Sequence, residues 1–485
     1  MAAGFIKRLR DLMRNDAGIN GDAQRIEQIA WLLFLKAYDD CEKIWEWEGY
    51  ASPIPEEFRW SSWAHETEKG KGKTGDDLLR FVDRELFPAL RDIAVDSNAS
   101  FRRSVIRSAF DNTNNYMKDG VLLRQVVNVI DGIDFADYET KKSLGAIYEE
   151  FLRELQSAGS AGEFYTPRAV TSFMSKMIAP KLGEKMADYA CGTGGFLTGW
   201  LDHLPAPSTP EEVALRECSV FGIEKKQFPQ ILCAVNLLLH GADPRVVHGN
   251  SLTGKKVLDL TDDDRVDVIL MNPPYGSSEL ESVKKNFPAD LASAETFDLF
   301  MILIMYRLKR TGRAAVILPD GFLTGGGNKS NIKKKLLSAF DLHTVIRLPK
   351  SVFAPYTSIN TNILFFNGSG PTKSTWFYRL DMPEGYKNFS KTRPMREEHF
   401  APAERWWNDR QPISVDGFDK AREFSPKELE ERGYDLDLCG FPHEAEEVLS
   451  PRELMRDYRD KRSELGLRID EVLSRLEREL GEERV

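Results

Sequence analysis

The residues with the clearest capacity for chemistry are Asn272, Pro273, Pro274 and Tyr275, which directly follow an apolar run. Neither proline has an N–H group, so this segment cannot continue a β-ladder and forms a stiff loop. The Asn272 side-chain oxygen and the Pro273 carbonyl can accept both hydrogens of an exocyclic amino group. Tyr275 offers a ring on which a base can stack. Taken alone, a proline-stiffened structural turn explains these four residues equally well.

The chain around this loop predicts the elements that would position it. The segment 266–271 is short and rich in β-branched side chains, which indicates a buried strand. Strands and helices alternate from about residue 186 to residue 366, and this pattern predicts a Rossmann-like, doubly wound α/β sheet. Ligands of such sheets bind beyond the carboxyl ends of the strands, where this loop would lie. Another short strand is predicted from Met186 into the glycine-rich turn, and the others at 219–223, 246–248, 313–318, 342–348 and 361–366, the last two ending the sheet.

Polar or flexible residues follow the first three predicted strands. The segment Cys191–Gly194 follows the first strand and precedes an apolar helix, so its backbone can approach a ligand and the helix can donate N–H groups. Glu224 ends the second strand, where folds of this kind hold ribose hydroxyls. The spacing from the glycine turn favours this ribose contact over a solvated carboxylate. Asn250 follows the third strand and can hydrogen-bond an adenine edge.

The segment before the glycine turn, Gly162–Arg168, combines aromatic residues with a threonine and a proline. Thr166 can cap a helix whose first residue is Pro167. The aromatic residues preceding them either form a hydrophobic staple or wall a ligand.

Composition limits the classes of function that fit. The chain has 485 residues, of which 41% are hydrophobic and 29% are charged, as expected for a soluble protein of two or three domains. Its net charge of -10 disfavours a chain that binds DNA alone through a basic surface. The five cysteines lack paired spacing and the seven histidines form no ligand cluster, so we expect a reducing cytoplasm and no metal site. The apolar runs are too short to span a membrane.

The sequence predicts three domains: a helical domain at 1–155, an α/β domain at 156–425 and a helical tail at 426–485. Within the first, Gly72-Lys73-Thr74 resembles the end of a phosphate-binding loop, but the earlier glycine and the preceding strand are missing, so we favour a surface loop. The tail has a narrow apolar stripe that needs a partner. This stripe comprises Ile469, Val472, Leu473, Leu476 and Leu480.

The order of these motifs resembles that of DNA amino-methyltransferases that use S-adenosylmethionine. More closely, the whole chain resembles the modification subunit of type I restriction–modification systems, most strongly between Gly162 and Phe366. The resemblance implies methyl transfer to adenine N6 after base flipping. It also implies a complex with a specificity subunit, a second methyltransferase subunit and a restriction subunit on double-stranded DNA. The acidic composition and the absence of a segment typical of a DNA-reading domain agree with a separate specificity subunit.

The resemblance also implies a role for individual residues. Asn272–Tyr275 would hold the target base, Glu224 would bind the ribose hydroxyls, and Asn250 would lie beside the adenine ring of the cofactor. We add Phe353 as a candidate for the second face of the target base. The residues expected around the cofactor's methionine end and amino-acid portion are Glu163, Phe164, Tyr165, Thr166, Pro167, Arg168, Asp188, Cys191, Gly192, Thr193, Gly194 and Asp298.

Two residues depart from the family pattern, and three other functions remain open. Tyr189 stands where the family usually has proline, and Asn250 stands where many relatives have aspartate. Cytosine N4 and a glutamine side chain would also fit an amine-accepting corner. A scaffold that has lost its activity is the non-catalytic alternative, although the glycine turn and the catalytic loop are both intact.

Overall fold

A computed structural model gives the architecture of the chain. It describes residues 2–65, 72–95, 99–133, 148, 165–354, 357, 359–390, 392–415, 417–438 and 440, and scattered positions between 452 and 473. Residues 1–440 form one compact unit and residues 441–485 form another. The predicted domain boundaries at 155 and 425 stay predictions.

The first part of the chain is helical, as its apolar periodicity predicts. Helix α2 is buried along most of its length, and its Trp31 packs edge-on against Phe87 with ring centroids 5.0 Å apart. A π-helical turn at Val82–Leu86 joins α4 to α5. The helices are α1 (Ala2–Arg14), α2 (Asp22–Trp47), α3 (Trp60–Trp63), α4 (Gly75–Phe81), α5 (Phe87–Arg91), α6 (Phe101–Phe110) and α7 (Gly120–Asp131).

A mixed sheet of ten strands forms the centre of the molecule, in the order β3-β2-β1-β4-β5-β7-β6-β8-β10-β9. Strands β3, β2, β1, β4 and β5 are parallel, and β7 is antiparallel to both of its neighbours. The strands are β1 (Met186–Asp188), β2 (Val220–Glu224), β3 (Val246–His248), β4 (Val266–Met271), β5 (Leu308–Pro319), β6 (Asp341–Arg347), β7 (Thr361–Asn367), β8 (Thr375–Arg379), β9 (Ile413–Val415) and β10 (Phe418–Phe424).

The prediction that the sheet ends near residue 366 is wrong, because β8, β9 and β10 extend it. β8 places neighbouring side chains in the cores on opposite faces of the sheet, as Phe377 and Tyr378 do, whereas most residues of β10 are exposed or half-buried. Strands buried on both faces show no clean alternation of apolar and polar residues. The register of β10 also shifts between Asp419 and Ala421, which disturbs the period further.

Helices cover both faces of the sheet, which confirms the doubly wound prediction. Successive residues at the end of β4 alternate between two cores, with Leu270 in one and Met271 in the other, so residues 268–271 form a continuous apolar run. The helices are α8 (Arg168–Ile178), α9 (Gly195–His203), α10 (Pro210–Glu217), α11 (Gln227–Leu239), α12 (Glu281–Lys284), α13 (Thr296–Arg307), α14 (Asp320–Thr324), α15 (Asn328–Ala339), α16 (Ala401–Asn408) and α17 (Pro426–Glu431).

The helical region packs on the sheet layer through α2 and α6. The Arg102 guanidinium lies 2.7 Å from Asp243, just before β3, and 4.4 Å from the centre of the Trp45 ring. The Gln227 side chain donates to the Ser108 carbonyl at 3.0 Å. These contacts fix the N-terminal helices against the half of the sheet that contains β1, β2 and β3.

The second compact unit is helical at the positions that the structure describes between 452 and 473. Ile469, Val472 and Leu473 of the predicted apolar stripe are helical and exposed, whereas Leu476 and Leu480 lie outside the described residues. Among the helices that the structure describes, none combines the length and the apolar character needed to cross a bilayer.

Candidate active site

The Asn272 side chain is held at both ends of its amide group. Its Nδ2 donates to Thr166 Oγ1 at 3.1 Å, and its Oδ1 accepts a hydrogen bond from the Tyr275 hydroxyl. Asn272 is half-buried and Pro274 is exposed, so solvent reaches this corner at the end of β4. In the described part of the chain, no donor is hydrogen-bonded to the Pro273 carbonyl. Of the two acceptors at this corner, Asn272 Oδ1 is already hydrogen-bonded, whereas no described donor bonds to the Pro273 carbonyl.

Tyr275 is turned toward the sheet. Its hydroxyl also lies 3.4 Å from the Ile317 carbonyl of β5, and its ring meets Phe297 edge-on with centroids 6.5 Å apart. Burial raises the pKa of the Tyr275 hydroxyl well above its ordinary value, so the group is a hydrogen-bond donor at neutral pH. An amino group that binds Asn272 Oδ1 must therefore share this oxygen with Tyr275 or displace its hydroxyl.

Thr166 lies between the Asn272 corner and the glycine turn, a position that differs from the predicted one. Helix α8 begins at Arg168 with Pro167 as its N-cap residue, and no side-chain bond caps it. The prediction that Thr166 is the cap is therefore wrong: its hydroxyl accepts from Asn272 instead. The Thr166 carbonyl lies 3.9 Å from the position that a Cβ on Gly195 would occupy. One residue thus contacts both parts of the predicted site.

The other residues of this segment have separate positions. The Arg168 guanidinium pairs with Asp202 and lies 3.2 Å from Thr198 Oγ1, contacts that hold α8 against α9. Tyr165 is half-buried and packs against the core. Glu163 and Phe164 lie outside the described residues, so their predicted contact with a cofactor stays a prediction.

The glycine turn after β1 has the backbone conformation that requires glycine. Gly192 has φ 53° and Gly194 has φ 84°, both in the left-handed region. A Cβ on Gly194 would also lie 2.8 Å from Cys233 Sγ. The Cys191 N–H donates to the Ile223 carbonyl at 3.1 Å, which ties the turn to β2. The turn therefore brings the N-terminus of α9 to the edge where β1 and β2 end.

Glu224 is fixed by main-chain donors on both of its oxygens. Oε2 accepts from the Gly192 N–H at 2.9 Å and Oε1 accepts from the Lys226 N–H at 2.8 Å. The side chain is buried, and burial raises the pKa of its carboxyl group. Because each carboxylate oxygen has two acceptor sites, both can still accept a hydroxyl. The arrangement suits a vicinal diol such as that of a ribose.

Asp188 lies at the end of β1 and is fully buried. Its Oδ1 accepts from the Ala190 N–H at 3.0 Å. Burial raises the pKa of Asp188 to about 8, and the neighbouring charge of Glu224 acts in the same direction. Asp188 is therefore largely protonated at neutral pH in the free protein, and a bound cation would favour its ionised form.

Asn250 has its oxygen engaged locally. Oδ1 accepts from the Leu252 N–H at 3.0 Å, which closes a turn after β3. The side-chain amino group is the donor that could meet a ring nitrogen of an adenine. Aspartate at this position could only accept when ionised, so the departure from the family pattern changes the polarity of the contact.

Asp298 and Phe353, two predicted site residues, are engaged elsewhere in this structure. The Asp298 carboxylate is buried in the first turn of α13, and Lys329 Nζ of α15 lies 3.2 Å from its Oδ2. The Phe353 ring is 5% exposed and packs in the core. Neither has a described contact with the glycine turn or with the Asn272 corner.

A buried arginine at the same sheet edge was missed by the sequence reasoning. Arg347, at the end of β6, lies 3.0 Å from Asp320 Oδ1 and 2.7 Å from Asp437 Oδ1. The Asn362 side chain donates to the same Asp320 oxygen at 2.8 Å. An arginine between the apolar residues Ile346 and Leu348 of the predicted strand was the available signal, because a buried charge must be paired.

The fold and the site together define a class of protein. The strand order reverses between β1 and β4, and the glycine turn, Glu224 and the Asn272 corner all lie at this switch point. These are the features of a Rossmann-like methyltransferase that acts on an amino group. The part of the chain that the structure describes contains no group of His, Cys, Asp or Glu residues suited to a metal ion.

Comparison with known proteins gives the particular family. Residues 139–447 match the family described as N-6 DNA Methylase, and residues 2–130 match the HsdM N-terminal domain. The chain is 46% identical over 471 residues to the type I restriction enzyme EcoEI methylase subunit of Escherichia coli, covering 96% of this chain and 95% of that protein. It is 25% identical over 412 residues to the EcoKI methylase subunit of Escherichia coli strain K12, covering 79% and 72%.

Solved structures agree with this assignment. A modification subunit ascribed to a type I restriction enzyme of Vibrio vulnificus YJ016 has a TM-score of 0.79 at 40% identity, covering 90% of this chain and 96% of that one. A chain from a structural study of the assembly of a type I R-M system has a TM-score of 0.80 at 35% identity, covering 98% of both chains. The chain belongs to the N-6 DNA methylase family, among the modification subunits of type I restriction–modification systems. It is an adenine-specific DNA methyltransferase, which confirms the predicted class over cytosine N4 and glutamine.

Proposed function

We propose that this chain uses S-adenosylmethionine to methylate N6 of an adenine that has been extruded from double-stranded DNA. The observation that carries this proposal is the bridge made by Thr166. Its hydroxyl accepts from Asn272, and its carbonyl lies beside the start of α9. The amine-accepting corner and the glycine turn are thereby adjacent, as direct transfer between two bound molecules requires.

The residues around the glycine turn fit this cofactor. Glu224 has spare acceptor sites for two ribose hydroxyls, and Asn250 can donate to an adenine ring nitrogen. The buried Asp188 would ionise against the cofactor's ammonium group, because a nearby positive charge lowers the pKa and so opposes the effect of burial. When bound, the cofactor supplies an electrophilic methyl group on a sulfonium centre.

The chain's own residues would orient the nucleophile. Asn272 Oδ1 and the Pro273 carbonyl each accept one hydrogen of the adenine amino group, which directs the nitrogen lone pair toward the methyl group. The same two oxygens stabilise the positive charge that develops on nitrogen in the transition state. Extruding the base costs a few kcal/mol, and stacking on Tyr275 returns about 1–3 kcal/mol.

Sequence recognition is assigned to a separate specificity subunit, within a cytoplasmic complex that also holds a second methyltransferase subunit and a restriction subunit. We assign docking on the specificity subunit to the tail from residue 450, whose Ile469 and Val472 are exposed apolar residues on a helix. Deletion of 450–485 should abolish co-elution with the specificity subunit in gel filtration while cofactor binding persists. Intact co-elution would exclude this role of the tail.

Nucleoside mass spectrometry tests the proposed reaction. The chain, co-expressed with its specificity subunit, would be incubated with unmethylated genomic DNA and a cofactor whose methyl group is isotope-labelled. We expect the label in N6-methyladenine. Label in N4-methylcytosine, or in protein glutamine with none in DNA, would contradict the proposal.

A further inference from the structure

The segment after β8 lies at the same edge of the sheet as the Asn272 corner. β8 is parallel to β6, and the Leu380 N–H donates to the Arg347 carbonyl at 2.9 Å. From β4 the sheet order runs through β5, β7 and β6 to β8. At about 4.8 Å for each of these four steps, the loop after β8 begins roughly 19 Å from the corner.

The middle of this loop is basic, although the chain as a whole is acidic and Glu384 and Glu397 flank the basic segment. Between Gly385 and Arg396 the sequence contains lysine and arginine but no carboxylate, whereas the net charge of the chain is -10. Lys387 and Arg393 are exposed. Within the residues that the structure describes, neither forms an ion pair. The two cations are therefore available to an external anion.

The loop is anchored. Phe389 is buried, and its N–H donates to Ser351 Oγ at 2.8 Å. The Arg393 guanidinium lies over the Tyr386 ring, 4.4 Å from its centre, and the Tyr386 and Phe389 rings are 5.7 Å apart. Ser351 belongs to the segment that follows β6 at the catalytic edge. The cations are therefore presented from a platform fixed to this edge.

We propose that Lys387 and Arg393 bind backbone phosphates of the substrate duplex beside the extruded adenine. The inference rests on the proposed function, since it takes the Asn272 corner as the position of the target base. One strand carries a phosphate about every 3.4 Å, so roughly 19 Å of duplex spans five or six phosphates. The loop that carries the two cations begins within this span, and its bond to Ser351 holds it at the same edge, which fits a duplex that lies along the edge of the sheet. An acidic protein surface could use the same charges, and the experiment separates the two partners.

The test measures how salt affects DNA binding by the assembled complex with the specificity subunit. Each phosphate contact contributes about 0.9 to the slope of log K against log salt. The double variant Lys387→Ala/Arg393→Ala should reduce this slope by about two and weaken binding by roughly tenfold per lost contact at 0.1 M salt. Lys387→Arg/Arg393→Lys should retain the wild-type slope.

The matched control removes one arginine and one lysine from the opposite edge of the sheet. Arg310 and Lys373 are exposed at the starts of β5 and β8, and Arg310→Ala/Lys373→Ala should leave the slope unchanged. An unchanged slope in the loop variant, or an equal change in the control, overturns the proposal. Loss of assembly with the specificity subunit, at unchanged cofactor binding, would identify the loop as a protein contact and also overturn it. If the wild-type complex binds DNA but transfers no methyl group, the proposed function is contradicted. The salt slopes of the loop variant and the control variant can still be compared in that case.

Discussion

The two halves of the catalytic edge are held by different kinds of hydrogen bond. On the side of β1 and β2, Glu224 accepts from the main-chain N–H groups of Gly192 and Lys226 and is buried. On the side of β4, Asn272 is half-buried and is held by the side chains of Thr166 and Tyr275. Main-chain donors move only with the fold, whereas a side-chain hydroxyl can rotate away.

This difference suggests a division of labour. The half around β1 and β2, where we propose that the cofactor binds, is organised in advance because the backbone fixes the Glu224 carboxylate. The half around β4, where we propose that the base binds, holds its acceptor by bonds that an entering amino group must share or exchange. Substitutions in the first half should therefore change the affinity for the cofactor, and substitutions in the second half should change the rate of transfer.

The largest effect is expected at Asn272. Asn272→Ala removes one of the two acceptors that the proposed mechanism uses in the transition state, so kcat should fall by about 100- to 1000-fold or more. Calorimetry should show cofactor binding close to that of the wild type. Asn331→Ala, at an exposed asparagine that donates to the Asp290 carbonyl at 3.0 Å, is the control and should keep full activity. Substantial activity in Asn272→Ala would remove this residue from the mechanism.

A smaller effect is expected at Glu224, and on binding alone. In Glu224→Gln an amino group replaces one of the two carboxylate oxygens. This amino group faces a main-chain N–H that the oxygen accepted from, so the site loses one acceptor and places two donors against each other. The Kd for the cofactor should rise by about 10- to 100-fold, with kcat at saturating cofactor nearly unchanged. The exposed Glu281→Gln is the control. A fall in kcat at unchanged Kd would be inconsistent with the division between the two halves.

The buried Asp188 should make the stability of the free protein depend on pH. Its pKa is about 8 in the folded state and its ordinary value is 3.8, so the folded state retains a proton that the unfolded state has lost between these values. The free energy of unfolding should therefore fall as pH rises from about 4 to about 8, by on the order of a few kcal/mol.

Asp188→Asn removes this dependence, because the amide does not titrate. In urea unfolding without cofactor, the variant should gain stability relative to the wild type between pH 5 and pH 8. If the two proteins differ in the free energy of unfolding by the same amount at pH 5 and at pH 8, Asp188 is ionised in the folded state throughout this range.

The smallest effect is expected from Tyr275→Phe, which keeps the stacking ring and removes the hydroxyl bound to Asn272. One hydrogen bond contributes about 1 kcal/mol net, so methyl transfer should stay within about fivefold of the wild type. Tyr275→Ala loses stacking of about 1–3 kcal/mol and should fall by about 5- to 150-fold. Equal losses in both variants would show that the hydroxyl, rather than the ring, is what the reaction needs.

The sequence was sufficient for the parallel half of the sheet, where strands buried on both faces form continuous apolar runs such as that of β4. It was insufficient beyond β7. The aromatic residues of β8 belong to cores on both faces, and the bulge in β10 shifts its register, so neither strand shows a simple period. Strand pairing that depends on contacts distant in sequence leaves little local signal.

Within the site, the sequence located the acceptors at the ends of β1, β2, β3 and β4 because the carboxyl ends of parallel strands lie at the same edge of a sheet. It did not give the contact from Asn272 to Thr166, which joins residues 106 positions apart. Nor did it show that Lys329 lies beside Asp298 or that the Phe353 ring is buried, since both depend on how separate elements meet.

The most direct test of the central claim is a photocrosslink from the target base. With 5-iodouracil in place of the target adenine, the complex of chain, specificity subunit and DNA would be irradiated and the attached peptide identified by mass spectrometry. We predict attachment to Tyr275, and its loss in Tyr275→Ala. Attachment to a different loop, unchanged in Tyr275→Ala, would contradict the assignment of the Asn272 corner as the binding site of the base.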